Sequence, residues 1–143
     1  MEKTPVLIAV PVLLSLLSTL GCGGGGTRQL QSIAASATGM TQIQLTATGT
    51  FTASPKNVAP LAVSWWVRDG VVLDPPYTYT LTTQPYSVAC QTGASVVAIA
   101  PANPKAPSSG TIPTQVFQDL IQSQTATSDG GFVVSAPQTI FCP

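Results

Sequence analysis

The sequence predicts an all-β fold, a sandwich of about seven short strands in two packed sheets. Side chains alternate strictly between apolar and more polar types over residues 42–51, and a second strong alternation covers residues 61–68. Both are patterns of strands with one buried face. Turn-forming residues such as Pro, Gly, Asn and Asp separate these segments at near-regular intervals. With 44% hydrophobic and only 7% charged residues, the chain has enough apolar side chains for a packed core.

The first two strands are predicted over residues 30–37 and 42–51. In the second segment, QIQLTATGTF, every second residue from Ile43 to Phe51 faces one side, and Gln and Thr side chains occupy the other. Residues 54–57, with the sequence SPKN, form a turn.

The second clear alternation, LAVSWWVR over residues 61–68, places Trp65 in the core and turns Trp66 outward beside Arg68. An exposed Trp can stack on a sugar ring or on a partner side chain. Trp66 and Arg68 are therefore candidate ligand-binding residues. The alternatives are that residues 101–124 cover Trp66, or that Arg68 packs over it as a cation–π pair.

Six further short strands complete the predicted sheets, and turn sequences such as Asp-Gly and Asp-Pro-Pro bound them. The stretch YTYTLTT also alternates, but its sequence leaves open whether Tyr77 and Tyr79 face inward or outward. The predicted segments are residues 71–73, 77–83, 86–90, 95–100, 132–135 and 139–142.

Residues 101–124 interrupt the strand pattern and are expected to form an insertion. We interpret residues 101–113 as an exposed loop, because their prolines would remove hydrogen-bond donors from a central strand. In residues 114–124, apolar residues recur at helical spacing, which predicts a short helix capped by Thr114. A strand is the alternative for this last segment.

The N-terminal segment predicts export. Residues 6–20 form an almost wholly apolar run, short of the roughly 20 residues that a membrane span needs and typical of a signal peptide. An uncleaved anchor is the alternative. Gly21 and Cys22, followed by four glycines, resemble the processing site of bacterial lipoproteins, although Thr19 replaces the Leu that is usual three residues before the Cys.

This resemblance implies that Cys22 becomes an acylated N-terminus that anchors the protein to a membrane. Gly23 after the Cys, by the same resemblance, favours the outer membrane or the cell surface of a two-membrane cell. The predicted organisation is a signal peptide over residues 1–21, a lipidated Gly-rich tether over 22–29, and a domain over 30–143 with the insertion at about 101–124.

The chain holds three cysteines. If Cys22 is lipidated, Cys90 and Cys142 remain, and two cysteines in an exported protein are expected to pair as a disulfide. The bond would close a loop of about 50 residues, for which the chain-entropy model gives roughly 4 kcal/mol of stabilisation. Two free thiols are the alternative.

The stretch LQSIAASATGMTQIQLTATGTF, followed by VSWWV, resembles the beginning of bacterial immunoglobulin-like domains of group 2. Leu30, Ser32 and Ile33 match the opening strand of that family, residues 46–51 match its Thr-Ala-Thr-Gly strand, and residues 63–65 match a later Trp-containing strand. The resemblance implies an immunoglobulin-like sandwich with a structural or adhesive role at the cell surface. It carries no catalytic residues.

The residue content gives no support to catalysis. The chain has no His, and its only Glu precedes Cys22, so acid–base chemistry would fall to Asp alone. No metal or cofactor is expected, because the spacing of zinc and EF-hand ligands is absent from the sequence. The expected partners are a membrane, through the lipid anchor, and a protein or glycan.

After Cys22, basic and acidic residues cancel, so nucleic-acid binding is not expected. The charged residues are Arg28, Lys56, Arg68 and Lys105 against Asp69, Asp74, Asp119 and Asp129.

Overall fold

A computed structural model describes residues 27–68, 75–89 and 94–141. The predicted signal peptide, the predicted strand at residues 71–73, and Cys22, Cys90 and Cys142 lie outside the described residues. The described elements are β1 (Leu30–Thr38), β2 (Gln42–Phe51), β3 (Asn57–Val58), β4 (Ser64–Arg68), β5 (Tyr77–Thr80), β6 (Tyr86–Ala89), β7 (Ser95–Pro101), β8 (Ser109–Ile112), α1 (Thr114–Gln122), β9 (Thr127–Asp129), β10 (Phe132–Val134) and β11 (Gln138–Thr139).

The described part of the chain is all-β apart from α1, and every strand pair in it is antiparallel. It holds eleven strands, more than the about seven of the predicted sandwich and the nine candidate segments in the sequence. The difference arises because the sheet edges are built from short pieces. β3 and β6 both pair with β2, and β10 and β11 both pair with β7.

The first sheet is built around β2. β1 pairs along one edge of it, with Leu30 opposite Phe51 and Thr38 opposite Gln44, and β6 and β3 pair with its first and last residues. The predicted alternation is confirmed, because alternate residues from Ile43 to Phe51 are buried and the intervening Gln and Thr residues face outward.

The second sheet is built around β7. β4 pairs with residues 95–99 of this strand, while β10 and β11 pair with residues 99–101 and 95–96. Since a strand has two edges, β4 must occupy one edge, and β10 and β11 the other. β9 extends the sheet beyond β10.

A single buried hydroxyl bridges the break between β10 and β11. Ser135 is only 1% exposed, and its backbone N–H donates to the carbonyl of Ala98 at 2.9 Å. Its Oγ accepts the N–H of the same Ala98 at 2.9 Å. The side chain therefore supplies the acceptor that a continuous strand would have offered from its backbone.

The two sheets pack face to face, and their inner side chains form the core. Trp65 lies on this inner face as predicted, half-buried, with its ring stacked near Tyr86 at a centroid distance of 6.3 Å. The central buried residues are Leu30, Ile33, Ala47 and Phe51 from the first sheet and its edges, and Val63, Ala98, Ala100 and Val133 from the second sheet and its edges. Burying each large aliphatic side chain contributes about 1.5–3 kcal/mol.

A third layer, formed by α1 and the β5–β8 pair, covers the outer face of the second sheet. Tyr77 and Tyr79 of β5 are buried and face this layer's cluster, which settles the question that the sequence left open. Because β7 is covered on both faces, all its residues after Ser95 are buried, and it consists of a continuous apolar run.

Two expectations about residues 101–124 were wrong. Residues 109–112 form β8 rather than part of an exposed loop, because their backbone contains no Pro and can pair with β5. The predicted helix is confirmed, but Thr114 does not cap it. Pro113 occupies the N-cap position of the helix, and no side chain forms a capping hydrogen bond there. The carbonyl of Pro113 accepts the N–H of Phe117 at 2.9 Å.

Candidate functional site

Trp66 faces away from the sheet–sheet core, as predicted, but α1 covers it. Its ring meets the ring of Phe117 edge-on at a centroid distance of 4.5 Å and that of Tyr77 at 6.5 Å. Tyr77 and Phe117 in turn stack at 3.9 Å. The alternative that residues 101–124 cover Trp66 is therefore confirmed.

This packing disfavours the candidate ligand role of Trp66, because protein side chains already occupy the surroundings of its ring. Its Nε1 atom is buried and has no hydrogen-bond partner among the described residues. Arg68, the second candidate, is the last residue of β4 and pairs with Ser95. A role for the two residues in ligand binding stays a prediction.

A cation–π pair among the described residues involves Arg28, which the sequence did not single out as a site residue. The guanidinium of Arg28 lies over the ring of Phe51, 3.6 Å from its centroid. The same group donates to the carbonyl of Ala53 at 3.3 Å and to that of Pro55 at 2.7 Å. These contacts fix the beginning of the domain to the loop after β2.

One end of the sandwich, which we call the tether pole, consists of Arg28, residues 52–56, residues 102–108 and the Gly130–Gly131 turn. Backbone hydrogen bonds join these segments. Leu30 donates to Ala102 at 2.8 Å, and Ala102 donates to Gly131 at 2.8 Å. Since Arg28 lies near the end of the predicted tether (residues 22–29), this is the end of the domain nearest to Cys22 in the sequence.

The opposite end, which we call the distal pole, consists of residues 39–41 and residues 139–141. Ile43 and Ile140, next to these segments, pack in one cluster. The pole carries the two exposed large hydrophobic side chains of the described residues, Met40 at 77% and Phe141 at 75% exposed. β2 runs the length of the domain, so the two poles lie about 30 Å apart.

The predicted disulfide falls on cysteines outside the described residues. The described residues near them in sequence, Val88 and Ile140, pack in the same cluster around Leu45. The segments that lead to Cys90 and Cys142 therefore reach the same end of the sandwich. The pairing itself stays a prediction.

The described ranges contain no group of three or more His, Cys, Asp or Glu residues that could hold a metal ion. In the same ranges, no helix combines the length and the apolar content needed to cross a membrane. Comparison of the chain with protein-family models, with curated proteins and with solved structures found no match.

Proposed function

We propose that this chain is an exported lipoprotein, anchored to the outer membrane or the cell surface through Cys22, whose immunoglobulin-like domain has a structural or adhesive role. The observation that carries the adhesive role is the position of Met40 and Phe141. Both exposed side chains lie at the pole farthest from Arg28, where the tether enters the domain. An anchor at one end leaves the other end free to meet a partner.

The immunoglobulin-like part of the proposal is supported by the order of the first strands. β1 and β2 form an antiparallel hairpin, and β4 carries an inward Trp65 in the facing sheet. This arrangement is typical of immunoglobulin-like sandwiches, which bury a Trp between two antiparallel sheets. The third layer, formed by α1 and the β5–β8 pair, is an addition to that arrangement.

The anchor is tested by replacing the lipidation site. In cells producing Cys22→Ser, we expect the protein to leave the membrane fraction, because the acyl chains provide the attachment. Cys90→Ser is the matched control and should remain in the membrane fraction. A Cys22→Ser protein that stays in the membrane fraction would contradict the lipoprotein assignment.

The adhesive role is tested at the distal pole. Cells displaying the protein should lose adhesion to other cells or to coated surfaces when Met40 and Phe141 are both replaced by Ser. Ala34→Ser is the matched control, because Ala34 is exposed on the outer face of the first sheet, away from this pole. If the double variant adheres as the original protein does, the distal pole is not the adhesive surface.

A second candidate function, glycan binding, is favoured by the exposed ring of Phe141 alone, since a sugar can stack on an aromatic face. The variant Phe141→Leu separates the two candidates, because it keeps an apolar side chain and removes the ring. If Phe141→Leu still binds glycans on an array, the stacking mechanism is contradicted. If Phe141→Leu still supports adhesion, the result favours an apolar contact with a protein.

A further inference from the structure

Charge is distributed unevenly between the two poles of the domain. Arg28, Lys56 and Lys105, three of the four basic residues after Cys22, lie at the tether pole. The fourth, Arg68, pairs with Ser95 at the other end of β7. The overall balance of charges in the sequence does not reveal this arrangement, because the three residues are far apart in the chain.

The contacts at the tether pole bring these basic residues together. Arg28 donates to Pro55, the residue before Lys56, and Leu30 donates to Ala102, three residues before Lys105. Both lysine side chains are exposed.

Among the described residues, two acidic side chains belong to elements next to the Gly130–Gly131 turn: Asp129 precedes the turn, and Asp119 lies on α1, whose Val116 contacts Gly130. Asp129 pairs with Phe132 across the Gly130–Gly131 turn. The residues that define the tether pole therefore carry three positive charges, more than the nearby acidic residues can neutralise.

We propose that the tether pole rests on the membrane and that Arg28, Lys56 and Lys105 bind the phosphates of anionic lipid headgroups. The proposal builds on the proposed function, because it takes Cys22 as the acylated residue. Only five residues separate Cys22 from Arg28, so even a fully extended tether holds the pole within about 20 Å of the acyl chains.

Each basic side chain near an anionic leaflet raises the equilibrium constant for contact with the membrane about fivefold. This attraction decays within a Debye length of about 8 Å. This range is short, so the attraction acts only when the basic end of the domain faces the leaflet. Contact at the tether pole would also direct Met40 and Phe141 away from the membrane.

The two lysines after Cys22 report on this contact directly. The full lipidated protein is placed in vesicles of phosphatidylcholine alone and in vesicles with equal parts of phosphatidylglycerol, and its amines are acetylated and read by mass spectrometry. We expect Lys56 and Lys105 to react about fivefold more slowly in the anionic vesicles. Salt at 1 M, where the Debye length is about 3 Å, should abolish the difference.

Three variants make the test specific. Met40→Lys places an amine at the distal pole, and this amine should react equally in both vesicles. Lys105→Gln should weaken the protection of Lys56, while Arg68→Gln, an equal loss of charge near the other pole, should leave it unchanged. Equal reactivity of Lys56 and Lys105 in both vesicles, or equal protection of the Met40→Lys amine, would overturn the proposal.

Three further outcomes distinguish the headgroup contact from a site for free phosphate and from a failure of the lipid anchor. Inorganic phosphate added to the neutral vesicles should not protect the lysines, and protection by phosphate would show a site for the free ion instead. Loss of the protein from both kinds of vesicle would contradict the lipid anchor itself. Retention without protection would contradict only the headgroup contact.

Discussion

At the scale of single residues, Ser135 shows how a polar side chain can be buried in an apolar core with its hydroxyl hydrogen-bonded. It lies where the last edge of the second sheet breaks between β10 and β11, and its hydroxyl accepts the N–H of Ala98. Ala98 belongs to the fully buried part of β7, so no water can replace that acceptor. The sequence did not indicate this role, because Ser135 was predicted only as the last residue of the strand over residues 132–135 and no local pattern marks its hydroxyl as an acceptor.

We expect Ser135→Ala to lower the free energy of unfolding by about 1–3 kcal/mol, because it leaves the buried N–H of Ala98 without an acceptor. Chemical denaturation measures the change. Ser32→Ala, at an exposed position of β1, is the matched control and should shift the stability by less than about 0.5 kcal/mol. A loss in Ser135→Ala no larger than that of the control would contradict the role given to the hydroxyl.

At the scale of elements, β7 and α1 depend on each other. Val97 and Ile99 of β7 belong to the cluster that α1 closes with Phe117 and Leu120. Without the helix, half of the central strand and the ring of Trp66 would face solvent. The helix is therefore part of the domain's core rather than an appendage inserted into a sandwich.

We expect Phe117→Ala to lower the free energy of unfolding by about 3–5 kcal/mol, because it removes a buried ring that packs on both Tyr77 and Trp66. Trp fluorescence should also shift to the red as Trp66 becomes hydrated. Gln118→Ala, on the exposed side of the same helix, should leave both stability and emission nearly unchanged. Unaltered emission in Phe117→Ala would show that the helix does not cover Trp66.

The sequence pattern predicted strands correctly where one face of the strand is buried and the other is exposed to solvent. Residues 42–51 alternate because their strand has such faces, and the outward direction of Trp66 followed from the same rule. The cover that residues 101–124 provide for Trp66 was one of several alternatives. The sequence could not choose among them, because the helical spacing of residues 114–124 predicts a helix without giving its position in the fold. β8 was missed because the prolines around residues 109–112 dominate the local pattern.

At the scale of the whole molecule, the candidate site was harder to predict than the fold. Exposure of Met40 and Phe141 depends on where the strands end, and no local pattern reports it. The grouping of Arg28, Lys56 and Lys105 likewise depends on contacts between distant segments. These surfaces are products of topology, whereas the alternation within each strand is a local property.

The predicted Cys90–Cys142 bond would link the chain after β6 to the chain after β11, and these two strands belong to different sheets. We expect the mass of the exported protein to be lower than that of the dithiol by the mass of two hydrogens. Reduction of the bond should lower the free energy of unfolding by about 2–4 kcal/mol. Intact mass before and after reduction, with alkylation of free thiols, measures the first quantity. Two thiols that alkylate without prior reduction would contradict the pairing.

The central claim is that the chain leaves the cytoplasm and is held to a membrane by its own N-terminus. The most direct measurement is the mass of the N-terminal peptide of the protein extracted from the membrane. We predict a peptide that begins at Cys22 and carries acyl chains. A peptide that begins at Met1, or an unmodified Cys22, would contradict the claim.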